Sequence, residues 1–471
     1  MKRSKKLFSL LLVLALVLGA TYAATLWNSE NQEAEEEVVA TTIFTLDAES
    51  VTALSWDYSE EVSFEKKDGA WVYSKDESFP LDSTFIDTIL DTLTEVTSYK
   101  TIEAVEDWDQ YTLEAPYCEI TVTVDGTTHT LKIGEETAMG GERYFSIGDG
   151  NAYLVDSAII DPFSYRLYDL LSYEAIPDMT YLHGLELQSD AQSYEITLLE
   201  NSGLAYSDEY VWFMDELPLD SELTETLLSN IVYLSWGDCV DYNATDLSAY
   251  GLDTPVVTAT AYYTQTVDIA TNETDEDGNI IYETQEKEAS FTLEIGTETG
   301  DYRYARISGS NMVYKIDASI ANTLMYTTYY ELQPDEVLLM DWDDVYAMDI
   351  VLDGVTYEIV KDTKSVTDEE GNTTEEIVYL LGGEEVDAES IMNTLDSMES
   401  TGYAAGLTPE RSEEIRFVIH RNHETFPEVE LVFYAYNSTA CLTTLNGAAT
   451  VFADREYVVN LIEVVNSLVL K

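Results

Sequence analysis

With 471 residues the chain has room for about three domains of ordinary size, and 45% hydrophobic with 11% aromatic residues is the composition of a folded protein, not of an acidic tail. Its 22 Lys and Arg against 91 Asp and Glu give a net charge of −69, which repels a phosphate backbone unless a basic patch overrides it. No such patch is present, so nucleic acid is excluded as a partner.

Lys2, Arg3, Lys5 and Lys6 stand immediately before an uncharged stretch from Leu7 to Trp27. A positive end followed by an apolar run is read by the export machinery. Residues 1–27 are expected to be an uncleaved single-pass membrane anchor, the run being long enough to span a bilayer. The alternative is a secreted protein, cleaved near Ala23. No cysteine lies close enough for lipid modification, and in either case the chain from Asn28 onward is expected outside the cytoplasm. Residues 28–42, with Glu33, Glu35, Glu36 and Glu37, form an acidic linker that like charges keep extended.

The first unit opens with strands around Val51 to Trp56 and Val62 to Lys66, and Asp68-Gly69 turns into Trp71-Val72-Tyr73. A helix capped by Asp82 or Ser83 follows, with Phe85, Ile86, Ile89, Leu90, Leu93 and Val96 on one face. Ile120, Val122 and Val124 then alternate with polar residues to Asp125-Gly126, and Leu131 and Ile133 resume the alternation, as in a hairpin with one wet face. A second hairpin, Tyr144 to Ile147 and Ala152 to Val155, turns at Gly148-Asp149-Gly150-Asn151. A short helix after Asp156 closes the unit.

The chain then repeats itself. Pro80-Leu81-Asp82-Ser83 recurs as Pro218-Leu219-Asp220-Ser221, and Tyr111-Thr112-Leu113-Glu114-Ala115-Pro116 as Tyr250-Gly251-Leu252-Asp253-Thr254-Pro255. Arg143-Tyr144 matches Arg303-Tyr304, and Tyr153, Asp156 and Ile159 match Tyr314, Asp317 and Ile320. The offset grows from 138 (Pro80 to Pro218) to 160 (Arg143 to Arg303), which puts an insertion in the second copy at 264–287. Its helix is capped by Asp220 or Ser221, with Leu223, Leu227, Leu228, Ile231 and Leu234 as the stripe. The last third reads the same way with weaker identity. Strands near 347–352 and 356–360 precede a helix capped by Asp387, with Ile391, Met392, Leu395 and Met398 on one face. Four strands and a terminal helix from Tyr457 to Leu468 follow.

The expected fold class is therefore α+β, as three tandem modules of mainly antiparallel strands, each with one amphipathic helix and a short closing helix. The modules span 43–177, 178–335 and 336–471. The order Asp-Gly-x-Trp, capped helix, Tyr-Gly-Leu-Asp-x-Pro, a strand ending in Ile-Gly (Ile133-Gly134, Ile295-Gly296) and a Tyr-rich hairpin resembles the bacterial domain-of-unknown-function family DUF4340. The resemblance covers most of 43–335 and thins beyond, where Ala405-Gly406-Leu407-Thr408-Pro409 is the remnant of the Tyr-Gly-Leu-Asp step. It implies an N-terminal membrane anchor with repeated extracytoplasmic modules, and association with an envelope or ABC-transporter complex. It supplies no catalytic residues.

Several constellations invite chemistry. Glu273-Thr274-Asp275-Glu276-Asp277-Gly278-Asn279 spaces acids as a calcium loop does, but Thr284 stands where a bidentate Glu is needed and Glu283 falls one place early. A two-stranded hairpin, 264–271 against 280–287, turned at Asp277-Gly278, is the expected structure; calcium binding by the acidic stretch 273–283 stays open. Thr367 to Asn372 looks like the same device in the last module. His420-Arg421-Asn422-His423 lacks a third zinc ligand and is expected to be a solvated turn, while His129 and His183 have no partner that sequence names. Cys118, Cys239 and Cys441 are too few for a disulfide framework and read as small buried hydrophobes. Arg143 and Arg303 are expected in salt bridges that fix their hairpins. The 34 Tyr and 7 Trp suit strand packing, with a ring-lined binding face as the alternative. No catalytic, cofactor-binding or metal-ligating residue is nominated, and no cofactor is implied. The expected role is a non-catalytic scaffold or docking module; the alternatives are an extracellular module binding carbohydrate or divalent cations and, third, an extracellular hydrolase.

Overall fold

Alternating burial builds the sheets. In Val51–Asp57 Leu54 and Trp56 face the core, joined by Val51 across a bulge between Val51 and Ala53, and in Cys118–Val124 Cys118, Ile120 and Val122 do. Polar residues occupy the other face, as period-two patterning demands. The computed structural model describes residues 40–275, 278–367 and 373–469. The expected anchor, most of the acidic linker, Asp277 and residues 368–372 lie outside the described residues. Among the described residues no helix is long and apolar enough to cross a membrane.

Two compact units form, one ending at Glu174 and one beginning at Ala175. The first holds an eight-stranded antiparallel sheet. From one edge its order is Ala70–Tyr73, Glu61–Lys67, Val51–Asp57, Cys118–Val124, Thr127–Glu136, Glu142–Ser146, Ala152–Asp156 and Lys100–Ile102. The chain lays three strands outward to one edge, crosses by helix α1 (Ser83–Thr94) to lay the opposite edge strand, and returns beside its first strand to finish as a meander. A separate ribbon pairs Thr41–Thr45 with Glu95–Ser98.

The second unit holds two nine-stranded sheets. One begins Leu217–Pro218, Trp212–Met214, Ser193–Leu198, Tyr181–Ser189 and continues Val257–Thr274, Ile280–Thr299, Tyr302–Ile307, Val313–Asp317 and Cys239–Asp241. The other begins Glu384–Val386, Thr373–Leu381, Val355–Thr367, Val345–Leu352 and continues Glu413–Arg421, Glu428–Ala435, Ala440–Leu445, Ala448–Asp454 and Ser400–Tyr403. Each follows the strand order of the first sheet, with one extra short strand at the outer edge. The protein is thus α+β, with antiparallel sheets and helices.

Helices cover one face of each sheet. In α1 the Asp82 carboxylate accepts from the Thr84 amide, and Ile86, Ile89, Leu90 and Leu93 are buried. Each such side chain contributes roughly 2 kcal/mol, against about 1 kcal/mol for the cap, so packing decides the helix. Val96, expected on this stripe, lies instead in the strand after it, because the helix ends at Thr94. Helix α2 (Ser221–Val232) is capped by Asp220 and buries Thr224, Leu227, Leu228 and Ile231. Leu223 is exposed, not part of the stripe, since it sits in the first turn beside the cap. In the third sheet's helix, Glu389–Asp396, the Asp387 carboxylate accepts from the Ser390 amide and hydroxyl. The first unit closes with the 3-10 segment Ser157–Ser164, where Pro162 withholds an amide; the corresponding segment Ala318–Tyr326 is α-helical.

Two ribbons outgrow their sheets. The insertion pairs Thr264 with Glu288 through to Thr274 with Ile280, and both of its faces are largely exposed from Ile280 to Glu288. The Val355–Thr367 and Thr373–Leu381 ribbon is not its equivalent, contrary to the sequence reading. It joins the second and third strands of its sheet, whereas the insertion joins the two strands that follow the crossover.

A Tyr-lined candidate site

The landmarks shared by the first two sheets meet at one buttress. Tyr111 and Tyr250 end short 3-10 turns, and the next residue takes the left-handed conformation, Thr112 at φ 54° and Gly251 at φ 67°. Glycine makes that step without strain, which explains its place in the second copy. The leucine that follows, Leu113 or Leu252, is buried. The tyrosine ring packs on the tyrosine of the Arg-Tyr pair, Tyr111 on Tyr144 at 4.8 Å and Tyr250 on Tyr304 at 5.1 Å.

Arg143 and Arg303 tie the buttress to the neighbouring strand. Arg143 Nη1 donates to the Gly134 carbonyl at 3.3 Å and Arg303 Nη1 to the Gly296 carbonyl at 3.1 Å. Glu136 lies 3.9 Å from Arg143, and Glu298 lies 3.1 Å from Arg303. These arginines hold the hairpin, as expected from the sequence; Arg143 Nε also donates to the Ser157 carbonyl of the closing 3-10 segment at 3.3 Å, while Arg303 Nε is buried without a hydrogen-bond partner.

The other marked residues serve structure. At the insertion's turn the Asp275 carboxylate accepts from the Asn279 amide at 2.8 Å and side chain at 3.0 Å. Among the described residues no group of three or more His, Cys, Asp or Glu is placed to hold a metal ion. The His-Arg-Asn-His step is not a solvated turn throughout. His420 and Arg421 end the strand Glu413–Arg421, and the Arg421 side chain is fully buried against Asp344, with paired 2.9 Å contacts. His420 lies 3.2 Å from Asp349 and 3.5 Å from Glu428, while His423 Nδ1 accepts from the Thr425 and Phe426 amides. The two imidazoles therefore have separate partners. His183 contacts Glu288 at 2.7 Å, and His129 packs edge-on to Phe44. All three cysteines are buried and none forms a disulfide. Burial pushes the Cys118 and Cys441 thiols up to about 12, keeping both as thiols at neutral pH.

A concave site lies within the second unit, and no sequence motif announced it. The segment after Ser193–Leu198 leaves its own sheet and docks on the third. The Asp341 amide donates to the Tyr206 carbonyl, and the Asp341 carboxylate accepts from the Ser207 hydroxyl and the Asp208 amide, each at 2.8 Å. Tyr206 packs on Phe426 at 4.8 Å, and its hydroxyl accepts from Asn446 at 3.2 Å. Between this segment, the stretch 329–339, the edge strand Ser400–Tyr403 and its neighbour Ala448–Asp454 opens a cleft of about 380 Å³. Tyr206, Tyr210, Tyr329 and Tyr403 line it, with Val337 and Val451 at its apolar wall. The Tyr210 hydroxyl donates to Glu336 Oε2 at 3.2 Å. Burial holds the Tyr210 phenol far above its ordinary value, reinforced by Glu336, and pushes Tyr329 up to about 12; both are neutral hydroxyls at physiological pH. The pattern Tyr206-x-x-x-Tyr210 in a stretch without strand or helix periodicity was the one signal available.

The model of the family described as Domain of unknown function (DUF4340) matches residues 71–204 and 212–417. The chain belongs to this family. No curated protein and no solved structure matches it. In this DUF4340 chain the matched stretches begin at Trp71 and Trp212, each in the third strand of its sheet, and the second stretch contains the Tyr210 neighbours Tyr329 and Glu336 as well as Tyr403.

Proposed function

We propose that this DUF4340 protein is a non-catalytic scaffold held at the outer face of the cell membrane by residues 1–27, with three tandem copies of one module. The modules are 43–177, 178–335 and 336–471, and the Tyr-lined cleft of the second unit is the docking surface. The shared strand order of the three large sheets supports the repeat, as do the matched stretches that start at corresponding tryptophans. The observation that carries the non-catalytic reading is the use to which the recurring residues are put. Arg143, Arg303, Tyr111, Tyr250, Gly134 and Gly296 spend their contacts on one another, on backbone and on the structural carboxylates Glu136, Glu298 and Asp241. An envelope or ABC-transporter complex is the partner proposed.

The test is made in intact cells, with a photo-crosslinking residue at position 403 and protease added outside. The scaffold reading expects the full chain in the membrane fraction, its C-terminal part cut by external protease, and one discrete high-mass adduct from position 403. A chain recovered in the cytosol and protected from protease would refute the location. A chain at the membrane that gives no adduct would refute docking at the cleft.

A further inference from the structure

We infer that the cleft formed by Tyr206, Tyr210, Tyr329, Tyr403 and Glu336 binds an organic cation, a primary ammonium or guanidinium carried on an apolar stem. The inference rests on the docking reading above and names the chemistry of what docks.

Glu336 is half-buried in the cleft wall. One of its oxygens accepts from Tyr210, and among the described residues no Lys, Arg or His lies within 4 Å of it, since none of the ion pairs includes it. No cation lines the cleft either. Glu399 pairs with Glu336 across an isolated bridge, and Asp335 precedes it, so the local charge is negative on both sides. A carboxylate in an apolar pocket without a counter-charge is complementary to a positive group that arrives with the ligand.

The rest of the lining selects the kind of cation. Tyrosine rings attract ammonium and guanidinium groups through their faces, and they accept a methylene stem. A bare divalent ion would need six to eight oxygen ligands, and no group of three or more metal-ligating side chains is present among the described residues. A neutral sugar would need several convergent polar partners, whereas Gln333, Glu336 and Thr450 are the polar non-aromatic side chains of the lining. About 380 Å³ falls in the range of small-ligand pockets.

Isothermal titration of the full chain in detergent tests this with matched probes. Nα-acetyl-lysinamide and 1-aminohexane supply the cation on a peptide-like and a free stem. Nε-acetylated Nα-acetyl-lysinamide and 1-hexanol are their neutral matches. The cations are expected to bind roughly tenfold or more tighter than the neutral probes, the weight of one hydrogen bond to a charged group. Glu336→Gln keeps an acceptor for Tyr210 and is expected to erase that difference. Tyr403→Ala weakens both cations while Tyr403→Phe retains them, and Glu283→Gln on the exposed ribbon changes nothing, which separates the cleft from attraction to the acidic surface. Preference for the lysinamide assigns a peptide source and preference for 1-aminohexane a free amine; both support the inference. Equal binding of neutral probes, undiminished binding by Glu336→Gln, or no binding of either cation overturns it. Neutral probes bound in the cleft would leave docking intact and sink only the cation.

Discussion

Gly296→Ala is expected to destabilise the second unit by about 3 kcal/mol or more, the upper end of overpacking costs. The added Cβ would stand 2.2 Å from the Tyr250 carbonyl oxygen and 3.1 Å from Leu252 Cγ. Neither neighbour can yield cheaply. Tyr250 is fixed by Tyr304, Leu252 is buried, and the Gly296 carbonyl holds Arg303. The backbone conformation at 296 suits alanine, so the whole cost is the collision. Gly184→Ala in the same sheet is the control: its Cβ would meet Ile196 O at 3.4 Å and Tyr262 at 3.5 Å, ordinary contact, and since alanine is favoured over glycine inside a strand the expected change is neutral to stabilising by about 1 kcal/mol at most. Urea titration followed by circular dichroism reads both. Equal midpoints for the two variants would remove the buttress from the account.

Asp344→Asn is expected to cost about 3–5 kcal/mol, because it leaves the Arg421 guanidinium buried without a counter-charge. The Arg421 side chain has no exposure and Asp344 only a quarter. Arg421 Nη1 is already buried without a hydrogen-bond partner, so nothing nearby can take over. Desolvating the pair offsets most of its attraction, and the double replacement Arg421→Met with Asp344→Leu is therefore expected to recover most of the loss, within about 1 kcal/mol of the parent. Thermal melts of the three proteins decide it. A double variant as unstable as Asp344→Asn would show that the ion pair itself, not the orphaned charge, carries the stability.

Much of the fold was legible because local chemistry and tertiary packing agree. Asp82 and Asp220 cap as their positions suggest, and the alternation in 118–124 and 127–133 is the hairpin found. Readings failed where tertiary context decided. The apolar spacing of Leu223 is helical, yet the residue belongs to the exposed first turn. Arg421 sits between two histidines and reads as solvated, but the strand carries it under Asp344. The third sheet carries other residues where the first two have their landmarks. Cys441 faces Ala453 where Arg303 faces Ile316 and Arg143 faces Val155, and Leu407 of the Ala405 to Pro409 remnant is 44% exposed where Leu252 is 1%. With no guanidinium to reach a carbonyl, no Tyr-Gly-Leu turn is required. The cleft was illegible for a different reason. Residues 206–210, 329–336, 403 and 451 are far apart in sequence, and only folding brings them together.

Hydrogen exchange along residues 40–471 tests the repeated plan most directly. Local opening is costliest where a strand is paired on both sides and buried. Three sets of slowest amides are predicted, at Val51–Asp57 with Cys118–Val124, at Tyr181–Ser189 with the stretch 257–263, and at Val345–Leu352 with Glu413–Arg421. The ribbon strands at 265–274 with 280–287, and at 361–367 with 373–378, should exchange fast. Slow exchange confined to one sheet, or ribbons as protected as the sheet centres, would contradict the account.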